Sequence, residues 1–155
     1  MLLKTQNAII LMTGIGFFIA DQFLKFQSLH SWQQPQLVMR FFGWEPFLNP
    51  GIAFSIPIPY WLTLILSAPI ILLLIYFLVR HLNSPVDNLR ANNILITLAL
   101  TLVLAGALSN SFDRLFRHQT VDYIRILTGI INLADVFIVS GFICYVIQKK
   151  LMKNK

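Results

Sequence analysis

Charge is what this chain has least of. Only 12% of its 155 residues are Asp, Glu, Lys or Arg, against 57% hydrophobic residues. An ordinary soluble domain carries about twice that share of charge. One water-soluble domain could not hide so much apolar surface, so lipid is the expected solvent. Cysteine is nearly absent too. The single Cys144 lies in an apolar run, which excludes an intrachain disulfide and a cysteine-rich metal site. His30, His81 and His118 are scattered, so no histidine-rich metal centre is indicated. There is no glycine-rich phosphate loop, and Ser109 and Ser111 lack an evident base partner for nucleophilic catalysis. The net charge of +6 is not gathered on a polar surface, so nucleic acid is not an expected partner.

What is present is four long apolar stretches, each near the ~20 residues that a spanning helix needs. They run from about Asn7 to Lys25, Tyr60 to Val79, Ala91 to Leu108 and Ile130 to Ile147. The second carries no charge, and Pro69 within it is tolerated in a membrane helix. The first resembles a secretory signal, but it ends in Phe18-Ile19-Ala20-Asp21 without a small-x-small cleavage pattern. It is expected to be a retained helix. Between the first two stretches, Phe26 to Pro59 is too polar and proline-broken to span. Short strands or an interfacial helix are expected there, built from stretches such as Leu37-Val38-Met39-Arg40-Phe41-Phe42, with Trp32, Trp44, Tyr60 and Trp61 near the headgroups. The whole chain then reads as a single polytopic membrane domain.

Orientation follows from the basic residues. With an even number of spans, one side holds Lys4, Arg80, Arg90, Lys149, Lys150, Lys153 and Lys155, and the other holds Lys25, Arg40, Arg114, Arg117 and Arg125. Asp87 is the only acid on the first side, whereas Asp21, Glu45, Asp113, Asp122 and Asp135 fall on the second. The first side, with both termini, is expected to be cytoplasmic. The second, with net charge near zero, is periplasmic in a bacterial host.

Ionisable residues at membrane depth are costly and need a reason. Asp21 and Lys25 are spaced i, i+4 and can pair, either as an anchor for the helix end or as support for a nearby site. Asn49 and Gly51 lie in a turn, Asn49-Pro50-Gly51-Ile52-Ala53-Phe54, that is common by itself. In Ala105-Gly106-Ala107, small residues suit close helix packing. Asn110, Asp113 and Arg114 follow within one turn, and Arg114 could hold a carboxylate or a carbonyl.

Asp122 and Asp135 are the strongest pair. A loop of about a dozen residues containing Gly129 can bring them to one depth. Two carboxylates sharing a site hold one proton between them, so one can act as base and the other polarise a carbonyl. Equally, each could cap a helix or pair with Arg114, Arg117 or Arg125; spacing leaves these readings balanced. A proton-coupled transporter would also carry intramembrane acids, but it needs a polar path that the uncharged second span does not offer. A scaffold with a structural polar cluster is the third reading.

Taken together, five ordered blocks between Asp21 and Ile138 resemble the lipoprotein signal peptidase family, the aspartic signal peptidase II enzymes of the bacterial inner membrane. The blocks are Asp21-Gln22-Phe23-Leu24-Lys25, Asn49 to Phe54, Gly106 to Arg114, Val121-Asp122-Tyr123-Ile124, and Asn132-Leu133-Ala134-Asp135. The resemblance implies a fold of four transmembrane helices with a small periplasmic β-cradle and an interfacial helix. It implies a catalytic dyad at Asp122 and Asp135, with Asp21, Lys25, Asn49, Gly51, Asn110, Asp113, Arg114, Asn132 and Ala134 in support. It implies a prolipoprotein substrate cut just before a diacylglyceryl-modified cysteine, no metal or organic cofactor, and inhibition by globomycin. A monomer within membrane lipid is expected, although nothing in the sequence fixes the oligomeric state. Ala105, where a second glycine is frequent, and Ile131, where an aromatic is frequent, depart from the family pattern.

Overall fold

The computed structural model describes residues 2–32, 34–38, 41–51, 56–83 and 90–153. Helix α1 (Leu2–His30) leads to strands β1 (Gln36–Val38) and β2 (Phe42–Asn49). Helices α2 (Tyr60–Asn83) and α3 (Arg90–Arg117) follow, then strands β3 (Thr120–Ile126) and β4 (Gly129–Ile131), and finally α4 (Leu133–Lys153). Three helical segments, Thr5–His30, Tyr60–Asn83 and Ile94–Arg117, are long and apolar enough to cross a membrane. The chain is a mostly helical, multi-pass membrane protein with one small antiparallel sheet. The fourth helix is 21 residues long but carries Asp135, Lys149, Lys150 and Lys153.

At about 1.5 Å per residue, the 29-residue α1 and 28-residue α3 outrun a hydrocarbon layer about 30 Å thick. The sheet packs on one end of these two helices. Strand order is β1-β2-β3-β4, antiparallel throughout. Strand β2 bulges between Trp44 and Phe47, around Pro46, which has no N–H to offer a partner. Past the bulge, Phe47 faces Asp122 and Asn49 faces Thr120. Gly43 has φ +152°, and a Cβ there would lie 2.1 Å from the Gln36 carbonyl oxygen, so β1 can close on β2 only at glycine.

Burial is inverted relative to a soluble protein. Large apolar side chains such as Ile65, Leu72, Phe116 and Phe142 are exposed, as lipid-facing residues should be. The interior at the sheet end is polar: Asp21, Lys25, Asp113 and Asn132 are fully buried. Helix α3 is the central post, with α1, α2 and α4 packed against it. Gly106 lets α4 approach: a Cβ there would sit 2.4 Å from the Ala134 carbonyl oxygen.

Several expectations need correction. The fourth helix begins at Leu133, not near Ile130, because Gly129–Ile131 pairs with β3 as a strand. The connection carrying Asp122 is therefore a hairpin and not a loop. Helix α1 continues through Phe26 to His30, and no helix occurs among the described residues between His30 and Tyr60, so the implied interfacial helix is not among them. Met39, Arg40, Ile52 to Phe54, Asp87 and Lys155 lie outside the described residues.

Candidate active site

Four elements converge at the sheet end: the late turns of α1 and α3, the start of β3, and the first turn of α4. The foundation is an ion cluster. Lys25 Nζ lies 2.7 Å from Asp21 Oδ2 and 2.8 Å from Asp113 Oδ2, with all three side chains fully buried. Such charges tolerate burial only when paired and hydrogen bonded. Asp21 also accepts from the Ser109 hydroxyl at 2.6 Å and the Tyr123 hydroxyl at 2.8 Å. Asp113 pairs with Arg117, accepts from the Gln22 amide at 3.1 Å, and accepts from the Val121 N–H at 3.2 Å. That last bond ties the beginning of β3 to α3.

The same cluster fixes the start of α4, whose first amides would otherwise be orphaned. The Leu133 N–H donates to the Tyr123 hydroxyl at 3.2 Å, and the Ala134 N–H donates to Asp21 Oδ1 at 3.2 Å. The Asp135 N–H donates to Asn132 Oδ1 at 2.9 Å, while the Asn132 N–H donates to Asp135 Oδ2 at 3.2 Å. This is a capping box with Asn132 as cap and Asp135 three residues on. Burial and the charge of Asp21 hold the Tyr123 phenol above its ordinary range, so it remains a proton donor to Asp21.

Above this foundation sit the two acids. Asp122 Oδ1 accepts from Asn132 Nδ2 at 2.6 Å, and Asp122 Oδ2 accepts from Asn49 Nδ2 at 3.0 Å. Asn49 is itself set by the Gly51 N–H, which donates to Asn49 Oδ1 at 3.0 Å across a two-residue turn. Asp135 Oδ1 accepts from Asn110 Nδ2 at 2.9 Å. Asn110 Oδ1 accepts from Lys25 Nζ at 3.0 Å and from Asn132 Nδ2 at 3.0 Å. Asn132 thus touches both acids, and Asn110 links them to the ion cluster.

Neither Asp122 nor Asp135 forms an ion pair among the described residues. Arg117 is taken by Asp113, and Arg125 by Glu45 on the sheet. Arg114 forms no hydrogen bond or ion pair with the described residues, although it lies in the fields of Asp135, Asp122 and Asp113. Burial pushes the Asp122 carboxyl up to about 7; the Asn49 hydrogen bond opposes this, Asp135 adds to it, and Asn132 and Lys25 oppose it. Near neutral pH, the site therefore holds a carboxyl poised between its two states.

A family model described as signal peptidase II matches residues 13–151. This chain belongs to the signal peptidase II family. Its relatives include the lipoprotein signal peptidase of Syntrophus aciditrophicus, 26% identical over 99% of this chain and 98% of that protein. The lipoprotein signal peptidase of Ectopseudomonas mendocina is 29% identical over 86% and 82%. That of Streptococcus agalactiae is 31% identical over 64% and 62%. A solved bacterial membrane enzyme has the same fold, with a TM-score of 0.78 at 23% identity, covering 95% of this chain and 89% of that one.

Every site residue singled out from the sequence of this signal peptidase II relative, Arg114 included, falls in or beside one connected polar cluster. Four contributors were missed: Gln22, Ser109, Arg117 in its pairing with Asp113, and Tyr123. Ser109 and Tyr123 are buried donors to Asp21. The available signal was their position inside the matched blocks, directly beside Asn110 and Asp122.

Proposed function

We propose that this chain is a membrane aspartic endopeptidase that removes the signal peptide from diacylglyceryl-modified prolipoproteins, with Asp122 and Asp135 as the catalytic dyad. The observation that carries this is the pairing of roles around Asn132: buried Asp122 and half-buried Asp135 share its side-chain amide and backbone, neither forms an ion pair among the described residues, and burial pushes the Asp122 carboxyl up to about 7. A structural cluster would pair its acids, as Asp21 and Asp113 are paired here.

In the proposed reaction the ionised carboxylate takes a proton from water, and the resulting hydroxide attacks the scissile carbonyl. The protonated carboxyl gives its proton toward the carbonyl oxygen, and later transfer to the amine completes the cut. Asn49 and Gly51 on one side and Arg114 on the other hold the peptide backbone. Asn110, Asn132, Ala134, Asp21, Lys25 and Asp113 position the dyad.

All four helices cross the bacterial inner membrane in this reading, with α4 reaching about 31 Å. Both termini are cytoplasmic, supported by the distribution of Lys and Arg. The dyad then sits at the periplasmic face, where water meets lipid. The chain acts as a monomer on a substrate whose acyl chains stay in the bilayer, and globomycin inhibits it. The test is a cleavage assay in detergent on one prolipoprotein with and without its diacylglyceryl group. Cleavage before the modified cysteine, on the lipidated form only, is the expected result. Equal cleavage of both forms would remove the lipid from the proposal.

A further inference from the structure

A second feature lies at the opposite end of the bundle. Leu74 and Phe77 of α2, Leu100 and Val103 of α3, and Phe142 of α4 wall a cavity of about 530 Å³. Its floor is narrow because Gly141 packs against α3: a Cβ there would lie 2.7 Å from the Ala99 carbonyl oxygen. Arg80, His81 and Tyr145 close the end away from the sheet. The Lys149 ammonium stands 5.3 Å from the centre of the Tyr145 ring. Arg80 is exposed and also reaches the Tyr76 hydroxyl at 3.4 Å. Along α4 the cavity begins at Gly141, six residues and about 9 Å from Asp135. It shares no lining residue with the candidate active site.

We propose that this cavity binds an anionic phospholipid of the cytoplasmic leaflet, one acyl chain between α2 and α4 and its phosphate on Arg80 and Lys149. The inference rests on the membrane orientation proposed above. The apolar walls call for hydrocarbon, which a free phosphate does not bring. Arg80 of α2 lines the rim, and Lys149 of α4 stands over the rim residue Tyr145; basic pockets between helices at this membrane face recognise anionic headgroups. Cations in the last turns of α2 and α4 complement the helix dipoles, but that does not account for an open apolar cavity between them. A signal helix is the competing occupant. Its own positively charged end would meet Arg80 and Lys149, and like charges repel.

The experiment uses the full chain in detergent with equal amounts of phosphatidylglycerol and phosphatidylcholine. Retained lipid is counted by native mass spectrometry, and melting is followed in parallel. Phosphatidylglycerol is expected to be retained preferentially and to raise the melting temperature, while inorganic phosphate alone does neither. Arg80→Gln and Lys149→Gln should each lower that retention about fivefold, and Arg80→Lys should restore it. Prolipoprotein cleavage in phosphatidylcholine vesicles is measured on the same proteins and should be unchanged. Equal retention of both lipids, or retention indifferent to these substitutions, overturns the lipid site. So does a raised KM in phosphatidylcholine vesicles without any lipid preference, which would place the signal helix there. Loss of cleavage by the unsubstituted protein would instead count against the peptidase reading, because lipid retention is read independently.

Discussion

Asn132 and Asp135 hold each other: the Asp135 N–H donates to the Asn132 side chain at 2.9 Å, and the Asn132 N–H donates to the Asp135 carboxylate at 3.2 Å. The same Asn132 side chain donates to Asp122 at 2.6 Å. One asparagine therefore caps α4 and sets the distance between the two acids.

Asn132→Ala should cost about 1–2 kcal/mol of stability through loss of the cap, and more than tenfold in kcat. It should also move the alkaline limb of activity to higher pH, because the hydrogen bond it removes favours ionised Asp122. Urea unfolding and a pH–rate profile read the two effects separately. An alkaline limb that stays in place while stability falls would reduce Asn132 to a cap.

Lys25→Met should be the most damaging single change outside the dyad. It leaves Asp21 and Asp113 buried without their shared cation, and breaking such a set costs about 3–5 kcal/mol. The expected result is little folded protein after extraction, measured by size-exclusion chromatography and thermal melting. A stable, well-folded variant would mean the carboxylates find other partners.

The pH dependence has a definite sign. Burial raises the Asp122 carboxyl from the ordinary carboxylate range to about 7, so the folded state holds this proton more tightly. Its stabilising contribution is fully present below about pH 4 and is lost as pH rises to 7. Melting temperature should fall over that window in the wild type, with a shallower slope in Asp122→Asn. Activity should decline above pH 7 as the dyad gives up its shared proton.

Gly106→Ala tests whether helix approach positions the acid. The added Cβ meets the Ala134 carbonyl oxygen at 2.4 Å, so the α4 backbone must move. Overpacking of this kind costs about 1–3 kcal/mol, and the shift of α4 carries Asp135 with it. Activity should fall further than stability explains. The check is kcat measured well below the melting temperature of the variant.

The sequence made the long helices and the polar cluster legible for one reason: lipid leaves no cheap alternative. Apolar runs in α1, α2 and α3 have no other fate, and Asp21, Lys25 and Asp113 within them, like Asp135 at the start of α4, require partners. The sheet was harder to read. Strands β1 and β4 have three residues each, too few for alternation to show. Asp122 was expected in a loop because β3 earns its strand from pairing with β2 across about 75 residues of sequence, not from its own pattern. Tyr123 carries no signal of its role in the sequence for the same reason. Its partners, Asp21 and Leu133, reach it only in the folded chain.

The central claim is tested most directly by single-turnover cleavage of a diacylglyceryl-modified prolipoprotein by wild type, Asp122→Asn and Asp135→Asn, with the melting temperature of each recorded. The dyad account predicts that both variants fold and bind substrate but lose cleavage by at least about a thousandfold, the order of loss seen when a catalytic group is removed. A well-folded Asp122→Asn or Asp135→Asn that still cleaves at a tenth of the wild-type rate would contradict it.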